Sequence, residues 1–169
     1  MGILDIRLLG DPVLRQAADE VVAFDDELKT LAEDMFETMY ASDGIGLAAP
    51  QVGIAKRMFV MDVRDPELEP RVVVNPKIIE QDGFESGEEG CLSIPGITGE
   101  VERSARILIE GLDVDGRPIR IEATDLLARC IQHEIDHVDG VLFIDRLSPF
   151  KRKLLLGKWK KLQKEAKQR

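Results

Sequence analysis

A histidine pair places the strongest constraint on how this chain can fold. His133 and His137 are its only histidines, and they stand four residues apart in the stretch HEIDH. Residues four apart project from one face of an α-helix, so both imidazoles can reach one metal ion. Apolar residues around the motif recur at helical spacing, which predicts a helix buried in the core. These apolar residues are Leu126, Leu127, Cys130, Ile131, Ile135 and Val138.

Two imidazoles do not complete a catalytic metal site, because a zinc-like ion takes three protein ligands and keeps one position for water. The candidates for the third ligand are Cys91, Cys130 and the carboxylates. Cys130 would lie about 10 Å along the helix from His137, so we expect it in a pocket or in the core. Cys91 comes from a separate loop beside Gly90, and its thiolate would bind zinc or ferrous iron strongly. The alternative is that Cys91 is an ordinary small hydrophobic residue.

Three further residues are candidates for the chemistry. Glu134 adjoins His133, where it can take a proton from metal-bound water and later deliver it to a leaving nitrogen. A developing oxyanion needs hydrogen-bond donors, and we assign these to the Gln51 amide and the backbone N–H of Leu92. The alternative for Gln51 is a surface position in a tight connection from helix to strand.

The stretch from Gly44 to Gly53 contains a pattern that is also found in dinucleotide-binding loops. Gly44, Gly46 and Ala49 satisfy G-x-G-x-x-A. A dinucleotide-binding loop leaves a strand and opens a helix, whereas this stretch leaves an amphipathic helix and reaches Pro50. We therefore expect no nucleotide cofactor.

Local patterns predict both helices and strands. The predicted elements are a short helix over 13–18, an amphipathic helix after Asp25, strands over 57–63 and 71–75 with 77–80 as an extension, an acidic glycine-rich loop over 87–96, a hairpin of 106–113 and 117–123, a helix from Thr124 or Asp125 to Gly140, and a helix from Ser148. This order indicates an α+β fold with small antiparallel sheets packed around a central metal-binding helix, N-terminal helices and a C-terminal basic helix.

Size and charge bound the organisation of the chain. Its 169 residues, 44% of them hydrophobic, suit a single domain over 1–169. The net charge of -9 is divided unevenly, because residues 147–169 hold nine Lys and Arg against one acid, Glu165. The first 146 residues therefore carry about -17 and the basic C-terminal helix about +8. A segment whose net charge differs so strongly from that of the rest of the chain either binds a polyanionic partner or neutralises the acidic surface of its own domain.

The sequence gives no indication of export. No apolar run is long enough to span a bilayer, and the N-terminus lacks a basic flank followed by a long apolar core. Two cysteines without a C-x-x-C pair do not make a disulfide framework. We therefore expect a cytoplasmic protein with no membrane partner.

Three motifs in a fixed order, GIGLAAPQ, EGCLS and QHEIDH, resemble those of the peptide deformylase family. That family carries G-x-G-x-A-A-x-Q, E-G-C-x-S and H-E-x-x-H. Every defining position is present here, and they are Gly44, Gly46, Ala48, Ala49, Gln51, Glu89, Gly90, Cys91, Ser93, His133, Glu134 and His137. The similarity covers nearly the whole chain and is closest to the bacterial type with a helical C-terminus.

The resemblance implies a metal-dependent amide hydrolase that removes the N-formyl group from the initiator methionine of nascent polypeptides and releases formate. Fe²⁺ is the expected physiological metal, with Zn²⁺ or Ni²⁺ as substitutes. It implies that metal-bound water is the nucleophile and Glu134 the general acid and base. It also implies four groups of residues. Cys91, His133 and His137 would bind the metal, Gln51 and Leu92 the oxyanion, Ile45, Gly46 and Gly90 the peptide, and Ile45, Leu126 and Cys130 the methionine side chain.

The same resemblance implies that the partners are N-formylmethionyl peptides and, through the basic C-terminal helix, the ribosome. Arg129 and Gly87 depart from the family pattern, because many relatives have apolar residues there. Thr98 stands where a number of relatives carry an arginine, which leaves Arg103 as the nearby candidate for a contact with the substrate backbone.

Overall fold

The computed structural model describes residues 2–168, which form three α-helices, three 3-10 helices and seven strands. The α-helices are α1 (Asp26–Ala41), α2 (Asp125–Val138) and α3 (Pro149–Lys167). The 3-10 helices are Pro12–Arg15, Ala49–Val52 and Phe143–Arg146. The strands are β1 (Gly46–Ala48), β2 (Met58–Met61), β3 (Arg71–Asp82), β4 (Glu85–Gly90), β5 (Thr98–Arg103), β6 (Arg106–Leu112) and β7 (Pro118–Thr124). The expected α+β class is confirmed.

The strands form two separate antiparallel sheets. The larger sheet has the order β1-β2-β3-β6-β7, and β4 and β5 form a two-stranded ribbon. The β6–β7 hairpin was predicted, and its strands pair from Arg106 opposite Thr124 to Leu112 opposite Pro118. Among the described residues, β1 and β4 each have a ladder partner on one side only, β2 for β1 and β5 for β4. Each therefore offers an open backbone edge.

The five-stranded sheet lies between α1 and α2. Phe59 and Met61 of β2 pack with the apolar residues of α2, whereas Met58 and Val60 pack with those of α1. Successive side chains of a strand point to opposite faces of its sheet, so both faces of β2 are covered. This is why β2 is an unbroken apolar run rather than an alternating one.

The ends of the helices follow the capping residues seen in the sequence. Asp25 Oδ1 accepts a hydrogen bond of 3.0 Å from the Leu28 N–H at the start of α1. Ser148 Oγ accepts one of 3.3 Å from the Lys151 N–H at the start of α3, where Pro149 occupies the first turn. Both are N-cap interactions, which satisfy N–H groups that have no partner within the helix.

Helix α3 covers a third apolar cluster. Trp159 is 7% exposed and packs with Ile94, Ile97 and Phe143. The other side of α3 faces solvent, because Phe150 and Leu154 are exposed along with most of the lysines. Within residues 2–168, no helix combines the length and the apolar character needed to cross a membrane.

The prediction of one loop over 87–96 was wrong for its first part. Residues Glu85–Gly90 are strand β4, which pairs with β5, a strand that the sequence did not predict either. Within β4 only Glu89 is buried, and it is charged. The apolar alternation by which strands are recognised is therefore absent from β4.

The first predicted helix is also shorter than expected. Asp11 Oδ1 accepts from the Val13 N–H at 3.1 Å, but only Pro12–Arg15 form a 3-10 turn. The chain then leaves the helical path, because the Ala18 N–H donates to Val138 O at 2.8 Å. This tertiary hydrogen bond to the end of α2 replaces continued helix.

Candidate active site

Helix α2 carries polar side chains into the interior of the protein. Its buried polar residues are Gln132, His133, Glu134, Asp136 and His137. Its apolar residues pack on the five-stranded sheet, so these polar groups face the β4–β5 ribbon and the loop after β4. Buried polar groups are costly unless they have partners, so each partner is informative.

Cys91 and the two histidines converge on one point. The Nε2 atoms of His133 and His137 are 3.2 Å apart, and Cys91 Sγ is 3.3 Å from His137 Nε2. All three ligand atoms lie within 4.8 Å of one another. Donor atoms around a tetrahedral ion lie roughly 3.4 to 3.6 Å apart, given metal–nitrogen and metal–sulfur bonds of about 2.1 and 2.3 Å. The spacing therefore suits a single divalent metal ion.

The second nitrogen of His133 supports the same conclusion. His133 Nδ1 lies 2.9 Å from Glu89 Oε1, where a ring N–H donates to the carboxylate. That tautomer leaves a lone pair on Nε2, which points to the cluster. Metal-binding histidines commonly donate their other ring N–H to a carboxylate in this way. The ring of Phe143 stacks on His133 at a centroid distance of 6.3 Å.

The imidazoles differ in their affinity for a proton. Burial acts to lower the pKa of His133, but contacts with Cys91 and Glu89 outweigh it and raise that pKa well above its usual value. Burial lowers the pKa of His137 well below its usual value, and the charge of His133 lowers it further. One proton on the pair thus competes with a metal ion for the same lone pairs.

Cys130 takes no part in the cluster. Its Sγ lies 3.6 Å from the Ile45 carbonyl oxygen. Burial raises the pKa of the Cys130 thiol well above its usual value, and the nearby carboxylate of Glu134 raises it further. A thiol that stays protonated is a poor metal ligand. Cys130 is buried and lies among the residues that line a cavity beside the cluster.

Glu89 has a role that the sequence reasoning missed. Besides His133, its carboxylate accepts hydrogen bonds from Arg103 Nε and Nη2, each at 2.8 Å. Burial acts to raise the pKa of Glu89, but the hydrogen bonds from Arg103 and His133 outweigh it and lower that pKa to about 2. Glu89 is therefore a charged anchor for His133. The sequence feature that could have indicated this role is the position of Glu89, two residues before Cys91. A metal-binding histidine needs a partner for its second nitrogen, and a carboxylate close to another ligand is a candidate.

Arg103 is not free to contact a substrate. It is 6% exposed, and besides Glu89 it donates to Asp136 Oδ2 at 2.6 Å. All three of its donor nitrogens are thus engaged inside the protein, which corrects the expectation that it reaches the substrate backbone. Thr98 lies opposite Gly90 in the β4–β5 ladder.

Glu134 lies beside the metal ligands with one oxygen unpaired. Its Oε1 is buried and has no hydrogen-bond partner among the described residues. Burial raises the pKa of Glu134 to about 7, with the charge of Glu89 also raising it and that of His133 opposing. A carboxyl group with such a pKa can both accept and donate a proton near neutral pH.

The Gln51 side chain is held with its amide nitrogen toward the cluster. Its Oε1 accepts from the Ala48 N–H at 3.0 Å, while Nε2 lies 3.1 Å from Ser93 Oγ and 3.6 Å from Cys91 Sγ. Gln51 is 1% exposed, so the alternative of a surface position is wrong. Leu92 follows Cys91 in the turn closed by the Ile94 N–H to Cys91 O hydrogen bond of 3.0 Å.

A cavity of about 280 Å³ opens next to the cluster. Nine of the eleven candidate site residues line it, namely Ile45, Gly46, Gly90, Cys91, Leu92, Leu126, Cys130, His133 and Glu134. Of the remaining two, His137 lies behind the cavity against Cys91, and Gln51 reaches Cys91 from the 3-10 helix Ala49–Val52. Arg129, which departs from the family pattern, also lines the cavity, as do Asp43 and Glu88, to which no motif pointed.

These features define a class of protein: a metallohydrolase in which an H-E-x-x-H helix and a cysteine loop bring together three residues that fit one divalent metal ion. The sequence profile of the polypeptide deformylase family matches residues 3–153. A peptide deformylase of Alkalilimnicola ehrlichii is 50% identical over 166 residues, which cover 98% of this chain and 93% of that protein. The chain therefore belongs to the polypeptide deformylase family.

Solved structures of the family share the fold. A peptide deformylase from Legionella pneumophila superimposes with a TM-score of 0.93 at 44% identity, and 99% of each chain is covered. One from Synechococcus elongatus, in complex with actinonin, gives a TM-score of 0.87 at 50% identity and covers 92% of this chain and 86% of that one.

Proposed function

We propose that this protein is a metal-dependent amide hydrolase that removes the N-formyl group from the initiator methionine of nascent polypeptides and releases formate. The observation that carries the proposal is the convergence of Cys91, His133 and His137 beside the buried carboxylate of Glu134. Membership of the polypeptide deformylase family supports the choice of substrate.

We assign Cys91, His133 and His137 as the ligands and Fe²⁺ as the physiological ion, with Zn²⁺ and Ni²⁺ as substitutes. Imidazole and thiolate donors suit all three ions. When bound, the ion would polarise the formyl carbonyl and lower the pKa of a coordinated water molecule.

The protein supplies the proton transfers and the oxyanion contacts. Glu134 takes a proton from the attacking water and delivers it to the nitrogen that leaves as the free amine. Gln51 Nε2 and the Leu92 N–H donate to the oxygen that becomes negative during attack. Each donor of this kind contributes roughly 3 kcal/mol to stabilisation of the transition state. The hydrogen bond from Ala48 to Gln51 Oε1 keeps the amide turned the right way.

The peptide binds as an added strand. The open edges of β1 and β4 supply Gly46 and Gly90, and backbone hydrogen bonds to an extended peptide depend little on its sequence. Ile45, Leu126 and Cys130 line the cavity and receive the methionine side chain. Such a site suits many nascent chains that share only their first residue.

Release of formate tests the function. The anaerobically purified ferrous protein should deformylate formyl-Met peptides and leave the same peptides uncut when they lack the formyl group. Internal cleavage of unformylated peptides without deformylation would instead identify a general peptidase.

Glu134→Ala tests the role of the carboxylate. Deformylation should fall by orders of magnitude while the metal content is unchanged, because Glu134 moves protons and does not bind the ion. Full activity of this variant would contradict the assignment, and a purely structural metal site would show no activity in either protein.

We further propose that α3 binds the ribosome, which places the protein in the cytoplasm. Residues 147–169 carry nine basic residues, and most lysines of α3 are exposed. A chain ending at Leu147 should still hydrolyse short formyl-peptides but lose ribosome binding. Binding of the full chain should weaken as salt rises, because phosphate contacts release counterions. Equal ribosome binding by the truncated chain would refute this proposal.

A further inference from the structure

Arg129, on the first half of α2, makes three hydrogen bonds to the β4–β5 ribbon. Its Nη2 donates to Glu85 O of β4 at 2.7 Å, and its Nη1 donates to Val101 O of β5 at 2.8 Å. The same Nη1 donates to Glu89 Oε2 at 2.7 Å. The side chain is 14% exposed, and its hydrogen bonds to Glu89 and Val101 are partly buried, whereas the one to Glu85 O is exposed.

The position of this ribbon determines the position of one proposed metal ligand. Cys91 directly follows Gly90, the last residue of β4, whereas both histidines are on α2. No backbone ladder joins the ribbon to the five-stranded sheet in the described part of the chain. The ribbon is joined to β3 and β6 through residues 83–84 and 104–105, so the position of its far end, which precedes Cys91, depends in part on side chains that connect the ribbon to α2.

Arg129 also completes the environment of Glu89. One carboxylate oxygen, Oε1, contacts His133 Nδ1 and Arg103 Nη2. The other oxygen, Oε2, accepts from Arg103 Nε and from Arg129 Nη1. Arg129 thus restrains rotation of the carboxylate that orients His133, in addition to tying β4 and β5 to α2.

Gly87 leaves the space that the Arg129 guanidinium occupies. A Cβ atom on Gly87 would lie 3.0 Å from both Cζ and Nε of Arg129. The backbone of Gly87 is not in the left-handed region, so a larger residue there would not strain the backbone. It would instead be too close to the side chain of Arg129. A Cβ at position 87 therefore requires the guanidinium to shift by a few tenths of an ångström, and the further methyl groups of a valine require more space in the same direction.

We propose that Arg129 is a positioning residue for the metal centre, and that Gly87 is the residue that makes its placement possible. Arg129 holds the cysteine-bearing ribbon and the Glu89 carboxylate in register with the two histidines. The inference rests on the proposed function, because it takes Cys91, His133 and His137 as metal ligands.

The test is the affinity of the metal-free protein for Co²⁺, measured by competition with a chelator under anaerobic conditions. The absorption of cobalt bound to thiolate reports whether Cys91 is a ligand. Arg129→Leu keeps much of the side-chain bulk and removes the guanidinium, and Gly87→Val displaces it. Each should lower the Co²⁺ affinity about tenfold, as loss of groups that orient metal ligands commonly does.

The double variant separates positioning from general damage. If Gly87 acts through Arg129, Gly87→Val adds little to Arg129→Leu, because the space it needs is then vacant. Arg129→Lys should restore part of the affinity, since one ammonium group can replace some of the hydrogen bonds. Arg106→Leu is the matched control. It removes ion pairs to Glu80, Asp82 and Glu122 on the five-stranded sheet, and should leave the Co²⁺ affinity unchanged.

Two results would overturn the inference: unchanged Co²⁺ affinity in the folded Arg129→Leu and Gly87→Val variants, or fully additive losses in the double variant. If Arg129→Leu does not fold, Gly87→Val and Arg129→Lys decide the question. Absence of thiolate–cobalt absorption in the parent protein would instead refute the proposed metal site, so the two failures are distinguishable.

Discussion

At the scale of single residues, close packing around Glu134 leaves no room for an additional methyl group. A Cβ on Gly46 would lie 2.5 Å from Glu134 Oε2 and 2.9 Å from Cys130 Sγ. Distances this short require the carboxylate to move. A displacement of about 1 Å of a reacting group can reduce a rate by about a hundredfold.

Gly46→Ala should therefore lower kcat/KM for formyl-Met peptides about a hundredfold, with the metal content unchanged. Gly157→Ala is the control, because a Cβ at that exposed position in α3 has no atom within 4 Å. The control should keep its activity and gain about 0.5 to 1 kcal/mol in the free energy of unfolding. Parent-like kcat/KM in Gly46→Ala would show that the carboxylate tolerates the methyl group.

Tyr40 provides a second test at this scale, because it is the only tyrosine of the chain. Partial burial and a hydrogen bond of 2.6 Å to Asp62 Oδ2 together raise its pKa to about 12. The folded protein thus keeps the phenol proton at a pH where the unfolded chain loses it. The contribution of Tyr40 to stability is present below its ordinary pKa of 10.0 and is lost as pH rises toward 12.

Absorbance of the phenolate should follow this titration in the folded protein, with far-ultraviolet circular dichroism to verify that the fold persists. Asp62→Asn should lower the pKa of Tyr40, because the neutral amide no longer favours the protonated phenol. An inflection near pH 10 in the folded parent protein would contradict the structure.

At the scale of elements, α3 is joined to the body by apolar contacts. Leu155 is partly buried in the cluster with Phe143 and Leu147, whereas Leu154, the preceding residue, is 58% exposed. Replacing each of these neighbouring leucines by alanine separates the loss of packing from the change in helix propensity. Both positions lie inside the same helix, so the change in propensity is the same for both.

Leu155→Ala should lower the free energy of unfolding by about 1 to 2 kcal/mol, because it removes part of a buried side chain. Leu154→Ala should change it by less than about 0.5 kcal/mol. Denaturant unfolding measures both, with the fluorescence of Trp159, the single tryptophan, as the probe of α3. Equal effects of the two substitutions would mean that α3 does not pack as described.

At the scale of the whole molecule, the proposed metal ion links parts of the chain that are distant in sequence. Cys91 follows the ribbon and the histidines lie on α2, 42 and 46 residues further along. An ion bound by both stabilises the folded state over the unfolded chain, in which the ligands are not brought together.

Removal of the metal should therefore lower the midpoint of thermal unfolding. At a free metal concentration about 100 times Kd the ion contributes about 2.7 kcal/mol, which corresponds to a shift of roughly 5 to 10 °C for a chain of this size. Calorimetry of the protein with and without metal measures the shift. Cys91→Ala should show a much smaller metal-dependent shift, and a full shift in that variant would mean that the ion binds elsewhere.

Local patterns predicted the elements whose signals are local. Helix α1 and the β6–β7 hairpin follow from apolar spacing, from Asp25 as a cap and from the turn at Asp115-Gly116. Strands β4 and β5 could not be predicted from apolar spacing. Their buried residues include the charged Glu89 and Arg103, whose partners lie elsewhere in the chain. Burial of a charged residue can be explained only when its counter-ion is known.

The sequence by itself determined which residues can bind a metal ion, because ligand chemistry depends on residue type and the helical repeat places His133 and His137 on one face. Only the tertiary structure decided that Glu89 anchors His133, that Arg103 is unavailable to substrate and that Arg129 ties the ribbon to α2. The physical reason is that these hydrogen bonds join residues 14 to 44 positions apart, whose mutual distances no local pattern specifies.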